Sequence, residues 1–297
     1  MQLTDPKVRI TYRNTNGVGI VMGKFPPFWA LSFSGFGSPE NTVNTQSLFG
    51  VDGAQKTSSA LNVRDMEVIM LIKAESFDDL QDLKRKAMRA LNPAYAGTLI
   101  YEVLDKTYEI DVEVVKGIDE AETNTSISQK ATLQFKALDP YWHDKSEYNK
   151  LVPLSQVNNL FKFPLSITDT FKFAEMKPGE IITIENAGDA AVGGIFTMKF
   201  LAGVQNPRIF NVETQEYFGF THTFAAGDVV TFNTIRNQKK VTYTPFGGEE
   251  QNAMSMRTVG STFLSMSVGT NYLQVQADGG LENIVASLDY SPLVLGV

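Results

Sequence analysis

The chain has 297 residues, enough for two domains, and its 43% hydrophobic and 20% charged content is an ordinary globular balance. Its formal net charge of -7 gives no overall field that would draw it to nucleic-acid phosphates or anionic lipid. The absence of cysteine excludes disulfides, thiolate zinc sites and a cysteine nucleophile, no stretch approaches the ~20 apolar residues of a membrane span, and residues 1–13 lack the apolar core of a signal peptide.

In chain order, segments 7–12, 19–22 and 28–33 are expected to be strands, with Pro26 and Pro27 at a turn. A polar, glycine-rich segment follows, Ser34 to Ser59, with Leu48, Phe49 and Val51 as its apolar island. A loop of that length is expected to be functional, here an exposed arm that docks on a neighbour through those three residues. Segment 61–73 alternates in polarity at first and becomes apolar on both sides at its end, which predicts a strand covered on both faces.

One helix is expected after Ser76. This serine is a good N-cap, Asp78 and Asp79 suit the positive end of the helix dipole, and Pro93 marks the stop. Phe77, Leu80, Leu83, Ala87, Met88 and Leu91 recur at helical spacing as its buried face, and Lys84, Arg85, Lys86 and Arg89 are expected on the solvated side. Segments 97–104, 108–114 and 127–137 then alternate with period two, as half-buried antiparallel strands do, and Asp105-Lys106 is expected to turn the first hairpin. Asp139-Pro140-Tyr141-Trp142 ends that run and places the domain boundary just after it, giving domains 1–142 and 143–297.

The second half offers no helix. Nine short strands are expected, at 180–185, 195–201, 208–212, 217–221, 229–234, 240–243, 262–268, 272–277 and 283–289, separated by turn signals such as Ala226-Gly227-Asp228. That spacing predicts a β-sandwich. The fold class is therefore an α+β N-terminal domain, antiparallel with one helix, followed by an all-β C-terminal sandwich of jelly-roll or galectin-like form.

Catalytic chemistry finds little support. His143 and His222 are the only histidines and lack metal-ligand spacing. His143 is expected in interdomain packing and His222 facing solvent. No Gly-x-Ser-x-Gly turn is present, and the Gly17, Gly19, Gly23 cluster runs into Phe25-Pro26-Pro27 instead of a helix. Asp78-Asp79 and Glu249-Glu250 cannot be set across a cleft from one another. The sequence thus predicts no enzyme, no cofactor and no metal. A carbohydrate-binding module that attaches to cell-wall glycans stands as the alternative, with Tyr141, Trp142, Tyr148, Tyr217, Phe218 and Phe220 as candidate ring platforms; burial in cores or interfaces is the competing role of such rings.

Several phrases occur in a telling order. Leu61 to Val68 sets a single arginine ahead of an alternating run, Ser76 to Pro93 ends in Leu91-Asn92-Pro93, and Gly97-Thr98-Leu99 precedes two paired strands. Asp139-Pro140-Tyr141 follows a Phe-x-Ala-Leu strand, Val268 to Tyr272 holds a glycine-x-asparagine turn, and Leu288 to Pro292 leads to Gly296-Val297. Together they resemble the distal tail protein family of siphophages, over most of the chain. The resemblance implies a structural virion protein at the phage tail tip, made in the host cytoplasm. It also implies a hexameric homo-oligomer whose N-terminal domains form a ring joining the tail-tube protein to the tail-tip hub, and C-terminal domains that carry receptor-binding proteins or resemble carbohydrate-binding modules. It implies neither membrane nor specific nucleic-acid binding.

Overall fold

A computed structural model describes residues 8–50, 52–119, 125–146, 151–159, 174–177 and 179–297. The chain divides into two compact units. Unit 1 runs to Ser146 and takes back Leu293–Val297, and unit 2 is Glu147–Pro292. The sequence set the division at 142/143 and gave everything beyond it to the second domain. The contacts differ because His143 and Asp144 still pair with the first unit, and the last five residues return to it.

Unit 1 comprises β1 (Val8–Asn14), β2 (Gly19–Met22), β3 (Phe28–Ser34), β4 (Asn41–Gln46), β5 (Gln55–Leu61), β6 (Arg64–Lys73), α1 (Phe77–Ala90), β7 (Gly97–Val103), β8 (Lys106–Lys116), β9 (Ser128–Ala137) and β10 (Trp142–Asp144). Its main sheet has the order β2-β1-β7-β8-β9-β6-β3, antiparallel throughout. The two ends of that sheet meet, since the Gly23 amide donates to the Phe28 carbonyl at 3.1 Å and the Ala30 amide to Gly23 at 2.8 Å. The sheet therefore curls round a core formed by alternate residues of each strand, among them Ile10, Tyr12, Met22, Val68, Met70, Leu99, Ile110, Leu133 and Phe135. A second aromatic group, Phe33, Phe36, Tyr101 and Trp142, anchors the point where the chain leaves the unit.

α1 begins where its cap signal places it, with the Ser76 hydroxyl accepting from the Asp79 amide at 3.2 Å. At its other end the buried Asn14 amide donates to the Ala90 carbonyl at 3.1 Å, which satisfies one of the terminal acceptors. The buried stripe is Leu80, Lys84, Ala87, Ala90 and Leu91, whereas Phe77 and Met88 are exposed. Lys84, expected on the solvated side, is 4% exposed. It stands one turn from Leu80 on the same side of the helix, and a lysine stem is apolar enough to fill that position.

Three further details differ from the sequence reading. The β7–β8 turn is Leu104-Asp105, because Val103 already pairs with Lys106. Segment 34–59 is not a loop; it holds β4 and β5, paired as a hairpin. β6 buries one face completely, Met66, Val68, Met70 and Ile72, but on its other face Ile69 and Leu71 are only half-buried within this chain.

Unit 2 stacks two sheets. One has the strand order Val152–Pro153, Ile284–Asp289, Ile195–Phe200, Val229–Asn233, Lys240–Thr244, Gln251–Asn252; the other is Ile181–Asn186, Gly269–Gln276, Arg208–Asn211, Tyr217–Gly219. Rings from both meet between them: Phe218 stacks on Phe232 with centroids 4.3 Å apart, and Phe232 on Phe196 at 4.7 Å. This is the expected sandwich, with inward residues alternating against outward polar ones. Segment 262–268 is not a strand; it is held by a single bridge between Met266 and Val192, although Leu264 and Met266 still point into the core.

Candidate functional site

The arm is a two-stranded ribbon, and its composition explains its form. Asn41–Gln46 and Gln55–Leu61 are rich in Asn, Thr, Ser and Gln, which offer no apolar face to bury, so every residue of β4 is exposed. Side chains bond across the ribbon: Thr42 Oγ1 donates to Asn62 Oδ1 at 2.7 Å, Asn44 Nδ2 to Ser58 Oγ at 2.9 Å, and Ser59 Oγ to Asn41 Oδ1 at 3.0 Å. An isolated hairpin of this kind is marginal in water, and both of its long edges carry unpaired backbone groups. Its turn bears the predicted apolar residues. Phe49 is fully exposed, at 107%, and Leu48 is exposed. Val51 lies outside the described residues.

The base of the ribbon is the opposite case, held by a buried side chain whose donors are all used. Gly35 enters it at φ +81°, where a side chain would also run into the Asp65 carbonyl. Arg64, 3% exposed, closes the far side. Its Nε and one terminal nitrogen donate to the Pro140 carbonyl at 3.0 and 2.7 Å, and the same terminal nitrogen reaches Leu295 at 2.7 Å. The other terminal nitrogen donates to Gly35 at 2.8 Å and to Gly37. Five bonds thus use the five donors of a guanidinium, and the four carbonyls share its charge. Burial pulls the Arg64 pKa down from its ordinary value, yet arginine remains protonated. The Val297 amide adds a bond to the Phe36 carbonyl at 3.1 Å. Where the arm leaves, where unit 1 ends and where its last segment returns are therefore tied at one side chain. Sequence reasoning noted Arg64 only as part of a phrase; its signal was a lone arginine at the inward-facing position of an alternating strand.

The remaining candidates disperse. His143 lies within unit 1, in β10 between Glu109 and Leu293, and burial chiefly, with Lys145, lowers its pKa, against Asp111 and Asp139. His222 packs its ring against Phe224 at 4.8 Å. Among the described residues no group of three or more His, Asp and Glu could hold a metal, and no helix is long and apolar enough to cross a membrane. Trp142, Phe218 and Phe220 are buried in the cores of their units and offer no ring platform; Tyr148 lies outside the described residues. The two phenylalanines, one on either side of Gly219, are both fully buried and pack edge to face with centroids 5.6 Å apart. Asp228 is also buried. Burial works to raise its pKa, but bonds from the amides of Ala225 and Phe246 and from the Tyr243 hydroxyl, together with His222, bring it below the usual carboxylate value.

Comparison with known proteins meets this geometry unit by unit. Residues 17–137 match the family described as phage tail protein RIFT-related domain, and residues 187–292 match the siphovirus-type tail component, C-terminal domain. Among solved structures, phage SPP1 Dit, described as a paradigm of the hub adsorption apparatus in Gram-positive infecting phages, is similar with a TM-score of 0.64 at 12% identity, covering 96% of this chain and 98% of that one. A chain of the phage p2 baseplate, in its activated conformation with strontium, is similar at TM-score 0.56 and 11% identity over 96% and 97% of the two chains. No curated protein sequence matches significantly. A curled sheet carrying one helix and a projecting ribbon, joined to a β-sandwich and matched in both halves by phage tail families, defines a structural protein of a bacteriophage tail. The chain belongs to the siphophage distal tail proteins, and its place is the tail tip of the virion.

Proposed function

We propose that copies of this chain close into a ring through unit 1, six in number as the family resemblance implies, at the distal end of the tail. In that position the ring joins the tail-tube protein to the tail-tip hub, and unit 2 is free to carry host-recognition proteins. No reaction is assigned to it. The observation that carries this reading is the ribbon. It projects a fully exposed Phe49 beside an exposed Leu48 on strands that bury nothing of their own. Such a feature loses apolar surface to water only when another chain covers it. A closed ring uses unlike patches on each copy, a projection on one and a receiving surface on the next. Light scattering of the purified full-length chain across a wide concentration range tests this, with micrographs of the particles. A discrete oligomer of ring shape is expected; a monomer at every concentration overturns the reading.

A second reading rests on unit 2. The outward face of its four-stranded sheet carries Phe210, Tyr217 and Tyr272 around a fixed polar ladder, in which Arg208 Nε donates to Gln276 Oε1 at 2.9 Å and Gln276 Nε2 to Gln274 Oε1 at 2.7 Å. Rings beside oriented amides suit a neutral glycan better than the buried phenylalanines expected from sequence. Cell-wall pull-down of the wild type against Tyr272→Ala separates this reading from simple assembly. Equal retention of both proteins, or none, removes it.

A further inference from the structure

The outward face of β6 was expected to be covered, and within this chain it is not. Its residues lie in register with their neighbours as rows across three strands: Trp29–Leu71–Lys130, then Ser32–Ile69–Thr132. A bulge in β3 between Ala30 and Ser32 adds Leu31 to the same area, also half-buried. The result is a contiguous apolar patch of Trp29, Leu31, Ile69 and Leu71 on the solvent side of a sheet whose other outward positions are mainly polar or charged. Antiparallel sheets with one solvated face ordinarily place polar residues there.

We infer that this β3–β6–β9 face is the receiving surface for the ribbon turn of a second copy, with Leu48 and Phe49 seated on Leu71, Ile69 and Trp29. The inference rests on the ring reading and names the contact that the reading leaves open. Three observations select this occupant. The chain's own ribbon does not cover the patch, because all of β4 and most of β5 are exposed. Six paired residues at the ordinary rise per residue carry the turn ~20 Å from its base, far enough to reach a neighbouring molecule. The charges also agree: Asp52 stands in the turn, and Lys130 closes the row that holds Leu71 and Trp29. The contact is between unlike surfaces of identical chains, and each copy has one of each, so it propagates around a ring without leaving either surface bare.

The absence of cysteine supplies the test. Full-length protein bearing Ser47→Cys, beside Leu48 in the turn, is mixed with full-length protein bearing Ser32→Cys in the patch. A parallel mixture uses Thr11→Cys, on the outward side of β1. Assembly is read by light scattering, and a short thiol-specific cross-linker then traps neighbours. The expected result is an assembled particle in which the Ser32→Cys mixture gives about ten-fold or more cross-linked heterodimer than the Thr11→Cys mixture, since a held contact raises the effective thiol concentration far above that of free encounter. Assembled particles with no such preference overturn the inference and leave the ring reading standing. Material that stays monomeric in both mixtures overturns the two together.

Discussion

The guanidinium of Arg64 donates to the carbonyl of Leu295 at 2.7 Å, across a sequence separation of 231 residues. No local interaction could bring those residues together, so the bond reports the closure of unit 1 by its last segment. Replacing Arg64 with methionine removes five donors from four carbonyls, of which that of Pro140 is buried. Leaving polar acceptors without partners inside the fold costs about 1–3 kcal/mol. Arg64→Lys is expected to recover only part of this, because an ammonium lacks the planar fork that reaches both sides. Denaturant melts of the three proteins, with amide exchange at residues 293–297, measure the effect; wild-type stability of Arg64→Met would show that the bonds are dispensable.

Phe49 touches none of its own chain's core, so a charge there should leave the subunit intact while obstructing assembly. Phe49→Asp is expected to keep the wild-type circular dichroism and melting curve but shift the particle to smaller species in light scattering. Burying an unpaired carboxylate at a contact is costly by several kcal/mol, on the order of 3–5. Undiminished assembly would exclude the turn from the interface.

Phe232 sits between Phe196 and Phe218 and is completely buried. Phe232→Ala should destabilise unit 2 by about 3–5 kcal/mol, from lost transfer energy and the cavity left between the sheets. Near-ultraviolet circular dichroism and thermal melting check it, with the two tryptophans, Trp29 and Trp142, both in unit 1, as internal reporters expected to change least.

Asp228 gives unit 2 an acid-dependent component. Its carboxyl ionises below the usual carboxylate value in the folded chain, so between the two values the unfolded chain binds more protons and acid favours unfolding. Its contribution is complete above about pH 4 and fades as the pH falls through the lower folded value. Asp228→Asn is expected to lose stability at neutral pH, by about 1–3 kcal/mol for the disrupted bonds, and to show a flatter decline in acid. Parallel declines of mutant and wild type would refute the assignment.

Period-two alternation made the strands of both units legible, because burying one face of an antiparallel sheet imposes that pattern directly. The helix was legible from its cap for the same local reason. β4 and β5 were not, since a ribbon that buries nothing has no hydrophobic period to read. Segment 262–268 failed in the converse way: its alternating core contacts imitate a strand without a ladder partner. Lys84 was misplaced because charge predicts solvent while its stem filled a stripe set by Leu80 and Ala87. At the candidate site, Leu48 and Phe49 were visible as apolar residues in a polar stretch. The role of Arg64 was not, because its four acceptors come from places that only the closed fold brings together.

His143 and Leu293 are partners in one short pairing of strands, so the chain departs from unit 1 and re-enters it side by side. The sandwich is thus an excursion with adjacent ends, and exchanging it for another module whose termini are close would leave the curled sheet, its ribbon and the Arg64 clamp uncut. Evolution can alter what such a tail presents to its surroundings without redrawing the unit that the Arg64 clamp closes.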